Sequence, residues 1–399
     1  MATYSTSAVT TPAVSATGTL QRTVDDKIRH LFPGNPILLL VAGGSLAKGT
    51  DFKAEKGLIS KRRVNTPKYE VFNYTPLAIE FTVATFTSVA SFTVSSADGL
   101  TEKMTIVNTA NNTTCRISSI TSTTLVCVTV GSTTFTATAD DVLVVMGPAY
   151  GENSSTPYIL SKDEDNYYNY CQIFRFPVAI SASARDNPHY GGNYWTRLKA
   201  RNIIEGLRKV ENSLIWGNRA SSGDTTSDST LSDTFRTTRG LWNWATVSYP
   251  AGGSMDYEKL SNDLILAMSE YARGQGKTCV MPCSQKVNGQ MVQWAQDKMI
   301  VNDSKEIDEF GAAVEKYRTS GPLIRPIVHD SFTRGSNGPK ALVFDPEDIE
   351  YVYLRDRDFQ PRNGIQTNST DGYEDEIFGE IGINSLTGGT GLTQITNWY

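Results

Sequence analysis

The chain has 399 residues, of which 39% are hydrophobic and 20% are charged, and its net charge at pH 7 is −5. This length predicts two or three compact domains, with cores large enough to need neither disulfides nor bound metals. The negative charge argues against binding nucleic acid through bulk charge, and no apolar run approaches the roughly 20 residues that a membrane helix needs, so we expect no membrane partner.

The N-terminal part of the chain is polar and poor in core-forming residues. Residues 1–24 are rich in Ser, Thr and Ala, which predicts an extended or disordered arm, and a short helix is predicted over 24–32. Residues 43–63 are rich in Gly and Lys, which predicts an exposed, mobile loop. Its cluster Lys61-Arg62-Arg63 is a candidate nucleic-acid contact, but a solvated loop or pairing with an acidic neighbouring subunit is the favoured interpretation.

Two segments far apart in the chain alternate between apolar and polar residues with a period of two. One is 77–83 and the other is 174–180, and each predicts a half-buried strand. We interpret them as the two sides of one long hairpin. Because a hairpin alone is marginally stable in water, we expect this one to pack on another copy of the chain.

The segment 82–146, between those two strands, has a different character. It is dense in Thr and Ser, nearly uncharged, and carries short alternating strands about ten residues apart. Thr and Val suit a pleated surface, so this spacing predicts a small β-sandwich or barrel. Because it lies inside the hairpin, we interpret it as an inserted domain.

The remainder of the chain predicts a mixture of helices and strands. Apolar residues at three-four spacing predict a long helix over Tyr194–Trp216, which Gly217 ends. Further helices are predicted over 254–271 and from 284 onward. Strands are predicted over 278–281, 314–319, 323–328, 341–344, 349–354 and, more weakly, within 373–398. The fold class is therefore α+β.

Motifs that carry chemistry are not found. The run 276–278 lacks the glycine of a phosphate loop because Tyr271 stands in its place. Cys279 and Cys283 are better explained as buried thiols than as metal ligands, and 163–165 (DED) as solvated charges than as a calcium loop. Five scattered cysteines and three histidines also offer little material for a disulfide framework or a general base, and they fit a reducing cytoplasm. We therefore predict a protein that is not an enzyme and that binds no cofactor and no metal.

Several runs together resemble the major capsid proteins of tailed double-stranded-DNA bacteriophages with the Hong Kong 97-type fold. The resemblance is carried by 166–183 (NYYNYCQIFRFPVAISAS), by 190–192 (YGG), by 198–217 (LKARNIIEGLRKVENSLIWG) and by Arg239-Gly240. Capsid proteins of this type share a strand of the form N-Y-x-Q-I-F-x-x-P-V-x-I-S, a Tyr-Gly, and a helix that ends near E-x-x-L-x-x-G. Weaker similarity extends from about residue 24 to the C-terminus.

The resemblance implies a division of the chain into the parts of that fold. The parts are an N-terminal arm with a short helix (1–50), an extended loop (51–81 and 147–183), the inserted β-sandwich-like domain (82–146), a peripheral domain (184–238 and 345–399) with the spine helix 194–216, and an axial domain (239–344). The extended loop would overlap a neighbouring subunit. The inserted domain would project to the outer surface of the shell.

The resemblance also implies the partners and the location of the protein. Copies of the chain would self-assemble into hexamers and pentamers that enclose double-stranded DNA without sequence specificity, in a virion head assembled in the host cytoplasm. A separate scaffolding protein and a portal are implied, and a decoration protein is a further candidate. The candidate subunit-contact residues are Lys53, Lys61, Arg62, Arg63, Phe174, Arg175 and Phe176. The alternative is a β-rich surface or tail adhesin that uses 82–146 as its recognition module.

Overall fold

The computed structural model describes residues 59–74, 77–152, 154, 161–186, 193–221, 235–250, 255–264, 278–296, 317–318, 322–333, 340–369, 371–396 and 398. By their contacts, Met1–Val71 and Tyr167–Tyr399 group into one compact unit, which we call unit 1, and Phe72–Asn166 into a second, which we call unit 2. The predicted arm 1–50, the helix 24–32 and Lys53 lie outside the described residues.

Unit 2 contains a closed six-stranded barrel in which all neighbouring strands are antiparallel. The strands, in the order in which they pair around the barrel, are β3 (Glu80–Ser88), β4 (Ser91–Val94), β7 (Thr124–Val130), β6 (Thr113–Thr121), β5 (Met104–Asn108) and β8 (Val142–Pro148). Strand β8 pairs with both β3 and β5, and this double pairing closes the ring. The sequence predicted a small β-sandwich or barrel, and the structure has the barrel; strand spacing alone does not reveal whether the first and last strands meet.

The barrel has its own apolar core. Phe92 stacks on Phe135 with ring centroids 5.7 Å apart, and Leu125 and Cys115 are fully buried beside them. The chain reverses at Gly131, whose φ of +98° lies in the left-handed region that glycine tolerates best. This core depends on residues of unit 2 alone.

One carboxylate holds the start of β8 in place. Asp141 accepts hydrogen bonds from the Thr138 backbone N–H at 2.8 Å, from the Thr138 hydroxyl at 2.8 Å, and from the Asn108 side-chain amide at 2.8 Å. The backbone bond from Thr138, followed by the side-chain bond from Asn108, holds the pKa of this carboxyl below its usual value. Asp141 is thus a charged anchor for the last turn before the barrel closes.

Unit 1 contains a five-stranded sheet that supports the long helix. Its strands are β1 (Ser60–Val64), β18 (Ile349–Leu354), β20 (Gly372–Ser385) and β10 (Gln172–Ser181) in that order, with β19 (Gln360–Asn363) also paired to β20. Only β1 and β18 are parallel; the other pairs are antiparallel. The central strand β20 therefore receives partners along both of its edges.

The predicted long helix is confirmed over the predicted bounds as α2 (Tyr194–Trp216). Asn193 caps its N-terminus by accepting a hydrogen bond from the Thr196 backbone N–H at 3.3 Å. Its buried face includes Val210 and Leu214, which share a core with Phe174 of β10. Gly206 leaves room for a close approach, because a Cβ at that position would lie 2.7 Å from the Phe176 ring.

A second, six-stranded sheet lies in the same unit. Its strands, in order, are β13 (Val247–Pro250), β21 (Leu392–Thr396), β17 (Ala341–Phe344), β14 (Thr278–Cys283), β16 (Leu323–Val328) and β15 (Tyr317–Arg318). Helix α4 (Gln285–Gln296) starts after β14, where the Ser284 hydroxyl accepts a hydrogen bond from the Val287 backbone N–H at 3.3 Å. Val287 and Met291 of this helix are buried in the same core as Cys279 and Trp398.

The remaining described elements are short. They are β2 (Lys68–Asn73) paired with β9 (Asp165–Tyr170), β11 (Ala220–Ser221) paired with β12 (Arg236–Thr237), helices α1 (Ala182–Asp186), α3 (Leu241–Trp244) and α5 (Asp330–Thr333), a π-helix (Lys259–Leu264) and a 3₁₀-helix (Pro346–Asp348). The π-helix lies within the predicted helix 254–271, whose last residues are outside the described part. Within the described ranges, no helix has the length and apolar content that crossing a membrane would require.

Two expectations from the sequence are wrong. The strand 174–180 does not pair with 77–83; it lies in β10 and pairs with β20, because alternation determines which face is buried and not which strand is the partner. The cluster Lys61-Arg62-Arg63 is not in a loop; it lies in β1, whose flanking residues Ile59 and Val64 are buried.

The end of the chain contributes strands to both sheets of unit 1. The expected peripheral domain includes all of 345–399, and β18, β19 and β20 do share the sheet that supports α2. Strand β21 instead pairs with β13 and β17 in the six-stranded sheet. The C-terminal strand therefore belongs with the residues that the sequence division assigns to the axial domain.

Candidate functional site

Each of the three basic candidates in β1 forms an ion pair with an acidic residue of its own chain. Lys61 Nζ lies 3.7 Å from Asp358 Oδ2, Arg62 Nη1 lies 3.4 Å from Glu350 Oε2, and Arg63 Nη2 lies 3.8 Å from Asp356 Oδ1. All three side chains are about half exposed, so each pair is screened by water and worth at most about 1 kcal/mol. The cations of this strand are therefore largely neutralised within one chain.

The three candidates of β10 have different environments. Phe174 is buried in the core of unit 1, and Phe176 is half-buried against the same core. Arg175 points to the opposite face of the sheet, where its side chain is 61% exposed. Only Arg175 of these three presents its functional group to solvent.

Arg175 belongs to a larger set of ion pairs on that face, built on two buried carboxylates of β20. Glu376 and Glu380 have side chains that are only 2% and 0% exposed. Arg175 Nη2 and Arg362 Nη1 donate to Glu376 at 2.7 and 3.2 Å. Arg236 Nη2 and Arg357 Nη1 donate to Glu380 at 3.0 and 2.6 Å. We call Arg175, Arg236, Arg357 and Arg362 the arginine cluster.

An aromatic ring holds two of these guanidinium groups between the carboxylates. Phe378 lies midway between Glu376 and Glu380 on the same face of β20, and the Arg357 and Arg362 guanidinium carbons lie 4.8 and 4.2 Å from its ring centroid. Such cation–π contacts add to the fixed geometry of the ion pairs. The arginine cluster is therefore a pre-formed surface.

The buried charge of Glu380 also affects its neighbour Cys171. Burial, with a further contribution from the nearby Glu380 carboxylate, raises the pKa of the Cys171 thiol to about 12. Burial likewise raises the pKa of Cys283 to about 12. All five cysteines are free and buried, which agrees with the prediction for Cys279 and Cys283. Thiols that are buried and protonated are poor nucleophiles.

Sequence reasoning identified only Arg175 in the arginine cluster. The missed signal is the alternation Glu374, Glu376, Phe378, Glu380, which places acidic residues on the same face of a strand as an aromatic ring. A buried carboxylate needs a cation nearby, so this pattern predicts basic partners. It does not reveal which ones, because Arg175 and Glu376 are 201 positions apart in the chain.

The other polar and apolar features described in unit 1 are structural. His329 Nδ1 accepts a hydrogen bond from the Ser331 N–H at 3.0 Å, so Nε2 carries the proton and donates to Glu211 at 3.1 Å. Both ring nitrogens are thus occupied in a buried structural pair. The described residues also contain no group of three or more acidic, His or Cys side chains that could hold a metal.

An apolar cavity of about 320 Å³ lies between α2 and the five-stranded sheet. Its lining consists of Phe176, Ile203, Leu207, Phe359, Pro361 and Ile377. Without a titratable or polar group in that lining, the cavity has no means of acid–base chemistry.

Comparison with known proteins gives one family match. A family model described as SU10 major capsid protein matches residues 79–387, which is more than three quarters of the chain. The matched range contains all six barrel strands, the long helix α2 and the whole of β20. No curated protein matches the sequence significantly.

Solved structures that include a phage capsid and an encapsulin resemble the chain at low sequence identity. The capsid of Myoviridae phage XM1 is 10% identical, with a TM-score of 0.49 and coverage of 98% of this chain and 99% of that chain. A structure of Mycobacterium phage Bobi is 8% identical, with a TM-score of 0.47 and coverage of 98% and 99%. The SrpI encapsulin complex from Synechococcus elongatus PCC 7942 is 9% identical, with a TM-score of 0.47 and coverage of 96% and 94%. Since these TM-scores are below 0.5, the family match alone carries the assignment.

Proposed function

The chain belongs to the SU10 major capsid protein family, and from that premise we propose that its copies form the hexamers and pentamers of an icosahedral phage head. The protein is a structural capsid protein of a tailed bacteriophage and not an enzyme, and its location is the virion capsid. The observation that carries this conclusion is the match over residues 79–387. The adhesin alternative is not favoured by it.

The proposed mechanism of assembly is geometric. Hexamer and pentamer rings are closed heterologous interfaces, in which one patch of a subunit meets a different patch of the next copy. The same fold makes both rings if the contacts tolerate small changes in angle. Strands β1 and β10 support this proposal, because among the described residues they lie at opposite edges of the five-stranded sheet, and an edge strand can contact a neighbouring chain.

We assign the parts of the chain as the Hong Kong 97-type resemblance implies. The arm is 1–50, the extended loop 51–81 and 147–183, the inserted domain 82–146, the peripheral domain 184–238 and 345–399, and the axial domain 239–344. The positions of β1 in the five-stranded sheet and of β21 in the six-stranded sheet favour two adjustments: 60–64 moves to the peripheral domain and 392–396 to the axial domain.

The partners proposed for the shell follow from the same premise. The shell encloses double-stranded DNA without sequence specificity, and a scaffolding protein, a portal and a decoration protein act with it during assembly in the host cytoplasm. A net charge of −5 supports a container that does not hold its DNA tightly. Of the candidate contact residues, Lys61, Arg62, Arg63 and Arg175 have exposed side chains, whereas Phe174 contributes through the core beneath them.

Negative-stain electron microscopy of the purified chain tests the assembly proposal. Rings or shells of uniform curvature are expected. A discrete monomer or trimer at high concentration would contradict it.

Deletion of 82–146 tests whether this segment is an inserted domain. The core of unit 1 contains no residue of the barrel, so the deleted chain should keep the Trp fluorescence of the folded protein. Loss of all folded structure on deletion would contradict the assignment of 82–146 as an inserted domain.

A further inference from the structure

The arginine cluster carries more positive charge than the described part of the chain neutralises. Four guanidinium groups surround two carboxylates, Glu376 and Glu380, and these are the only ion pairs that the four arginines form among the described residues. One cation is enough to balance each carboxylate, so the cluster has a net charge of about +2. Crowding like charges raises the free energy of the isolated subunit, and an external anion would relieve it.

The guanidinium groups also keep hydrogen-bond donors free for a partner. Each guanidinium group has five N–H donors. Arg236, Arg357 and Arg362 each donate one hydrogen bond to a carboxylate. The Nε of Arg236 is shielded from water and has no hydrogen-bond partner within the described part of the chain. The side chains of Arg175, Arg357 and Arg362 are 61%, 41% and 48% exposed, so their remaining donors face outward.

The surroundings of the cluster suit a protein partner. Ile173 lies opposite Glu380 on the same face of the sheet, and its side chain is 44% exposed. Glu374 is the next carboxylate along this face of β20, and it makes no ion pair with the arginines among the described residues. A cationic surface with an apolar neighbour fits an acidic peptide segment.

The chain itself contains an acidic segment of matching charge. Asp163 and Glu164 are adjacent and exposed, and neither forms an ion pair with a described cation. The neighbouring Lys162 is already paired with Asp165 at 3.1 Å. The two free carboxylates balance the net charge of the arginine cluster.

We infer that the arginine cluster of one subunit binds the acidic segment Asp163–Glu164 of a second copy of the chain. The inference rests on the proposed function, since it requires subunits that assemble. Self-assembly places the acidic segments of many copies at high local concentration, which favours this partner over a separate acidic protein. Charge-assisted hydrogen bonds from guanidinium forks to carboxylates would then fix the register of the contact.

The test uses a double variant that removes the excess charge and leaves the buried carboxylates paired. In Arg175→Gln with Arg357→Gln, Glu376 keeps Arg362 and Glu380 keeps Arg236. The variant should therefore fold, as judged by Trp fluorescence and circular dichroism. We expect its critical concentration for assembly in low salt to rise about tenfold, with a weaker dependence on salt than the wild type.

A matched control carries the same change in charge elsewhere. Arg201 and Arg355 are 60% and 64% exposed, and among the described residues they pair only with the exposed carboxylates of Glu205 and Asp356. The variant Arg201→Gln with Arg355→Gln should assemble at the wild-type concentration. An equal loss of assembly in both variants would overturn the inference, because net charge alone would then explain it.

A double-mutant cycle tests the identity of the partner. Asp163→Asn with Glu164→Gln should raise the critical concentration as much as the arginine variant does, and the four substitutions together should add little more. Additive losses would overturn the pairing. If the arginine variant forms normal empty shells but fails to retain DNA, the cluster binds phosphate and the inference is wrong. Failure of the wild type to assemble contradicts the proposed function itself, so the two results remain distinct.

Discussion

At the residue scale, the most consequential side chains are those that hold charge away from water. Glu380 has no exposed surface and accepts from Arg236 and Arg357, which lie 144 and 23 positions away. A single carboxylate thus joins β12, β20 and the turn after β18. Such a group is costly to bury and more costly to leave without its partners.

Glu380→Gln is expected to lower the free energy of unfolding by about 3 kcal/mol, the lower end for breaking a buried ion pair, because both guanidinium groups can turn toward water. The control is Glu205→Gln, which breaks the exposed Arg201–Glu205 pair of α2 and should cost about 0.3–0.5 kcal/mol. Urea denaturation followed by Trp fluorescence measures both. An equal loss in the free energy of unfolding in both variants would show that burial of the Glu380 ion pair adds nothing to stability.

The lowered pKa of Asp141 predicts an acid-sensitive barrel. Because the folded-state pKa lies below the unfolded-state value, the stabilisation is present above about pH 4 and is lost as the pH falls through the folded-state pKa. Hydrogen exchange of the barrel amides, corrected for intrinsic rates, should show lower protection at pH 3 than at pH 6. In Asp141→Asn this difference should shrink; an unchanged difference would assign the acid sensitivity to other carboxylates.

At the scale of elements, the close contact between α2 and β10 makes a helix glycine, Gly206, favourable for stability, contrary to the general rule. Replacing an exposed glycine inside a helix with alanine usually stabilises a protein by about 0.5–1 kcal/mol. At Gly206 the new Cβ would lie 2.7 Å from the ring of Phe176, whereas at Gly289 of α4 nothing lies within 4 Å. The two positions therefore form a matched pair.

Gly206→Ala is expected to destabilise unit 1 by about 1–3 kcal/mol through overpacking, and Gly289→Ala to stabilise it by about 0.5–1 kcal/mol. Thermal unfolding followed by Trp fluorescence gives the sign of each change. If Gly206→Ala also stabilised the protein, the α2–β10 contact would be looser than a 2.7 Å approach to the Phe176 ring allows.

Helices and strands were predictable from the sequence where the pattern that indicates them lies within the element itself. The three-four spacing of 194–216 gives α2 with its bounds, and Ser284 correctly marks the start of α4. Pairing was less predictable, because the partner of β10 lies about 200 positions later in β20. The same distance hid the arginine cluster, whose members come from three separate parts of the chain.

At the scale of the whole molecule, the two compact units have separate reporters. All six tryptophans lie in unit 1, and unit 2 contains Cys115 and Cys127, both buried in the barrel. Trp fluorescence therefore follows unit 1, and labelling of those two thiols follows the barrel.

Leu125→Ala should lower the stability of the barrel by about 2–4 kcal/mol, since Leu125 is fully buried there. The midpoint of Cys115 and Cys127 labelling in urea should fall, while the Trp midpoint stays unchanged. The reciprocal variant Val210→Ala, in the core of unit 1, should move only the Trp midpoint. One shared transition that moves in both variants would contradict the independence of the two units.

Closure of the barrel has a consequence for how such a chain can change over time. Its first and last strands are direct neighbours, with Phe81 opposite Leu143, so the polypeptide enters and leaves the barrel at adjacent points. A segment with neighbouring ends can be lengthened, shortened or exchanged for another folded module without stretching the backbone on either side. The barrel thus marks a site where foreign domains can be grafted into every subunit, giving one copy per subunit across the whole shell.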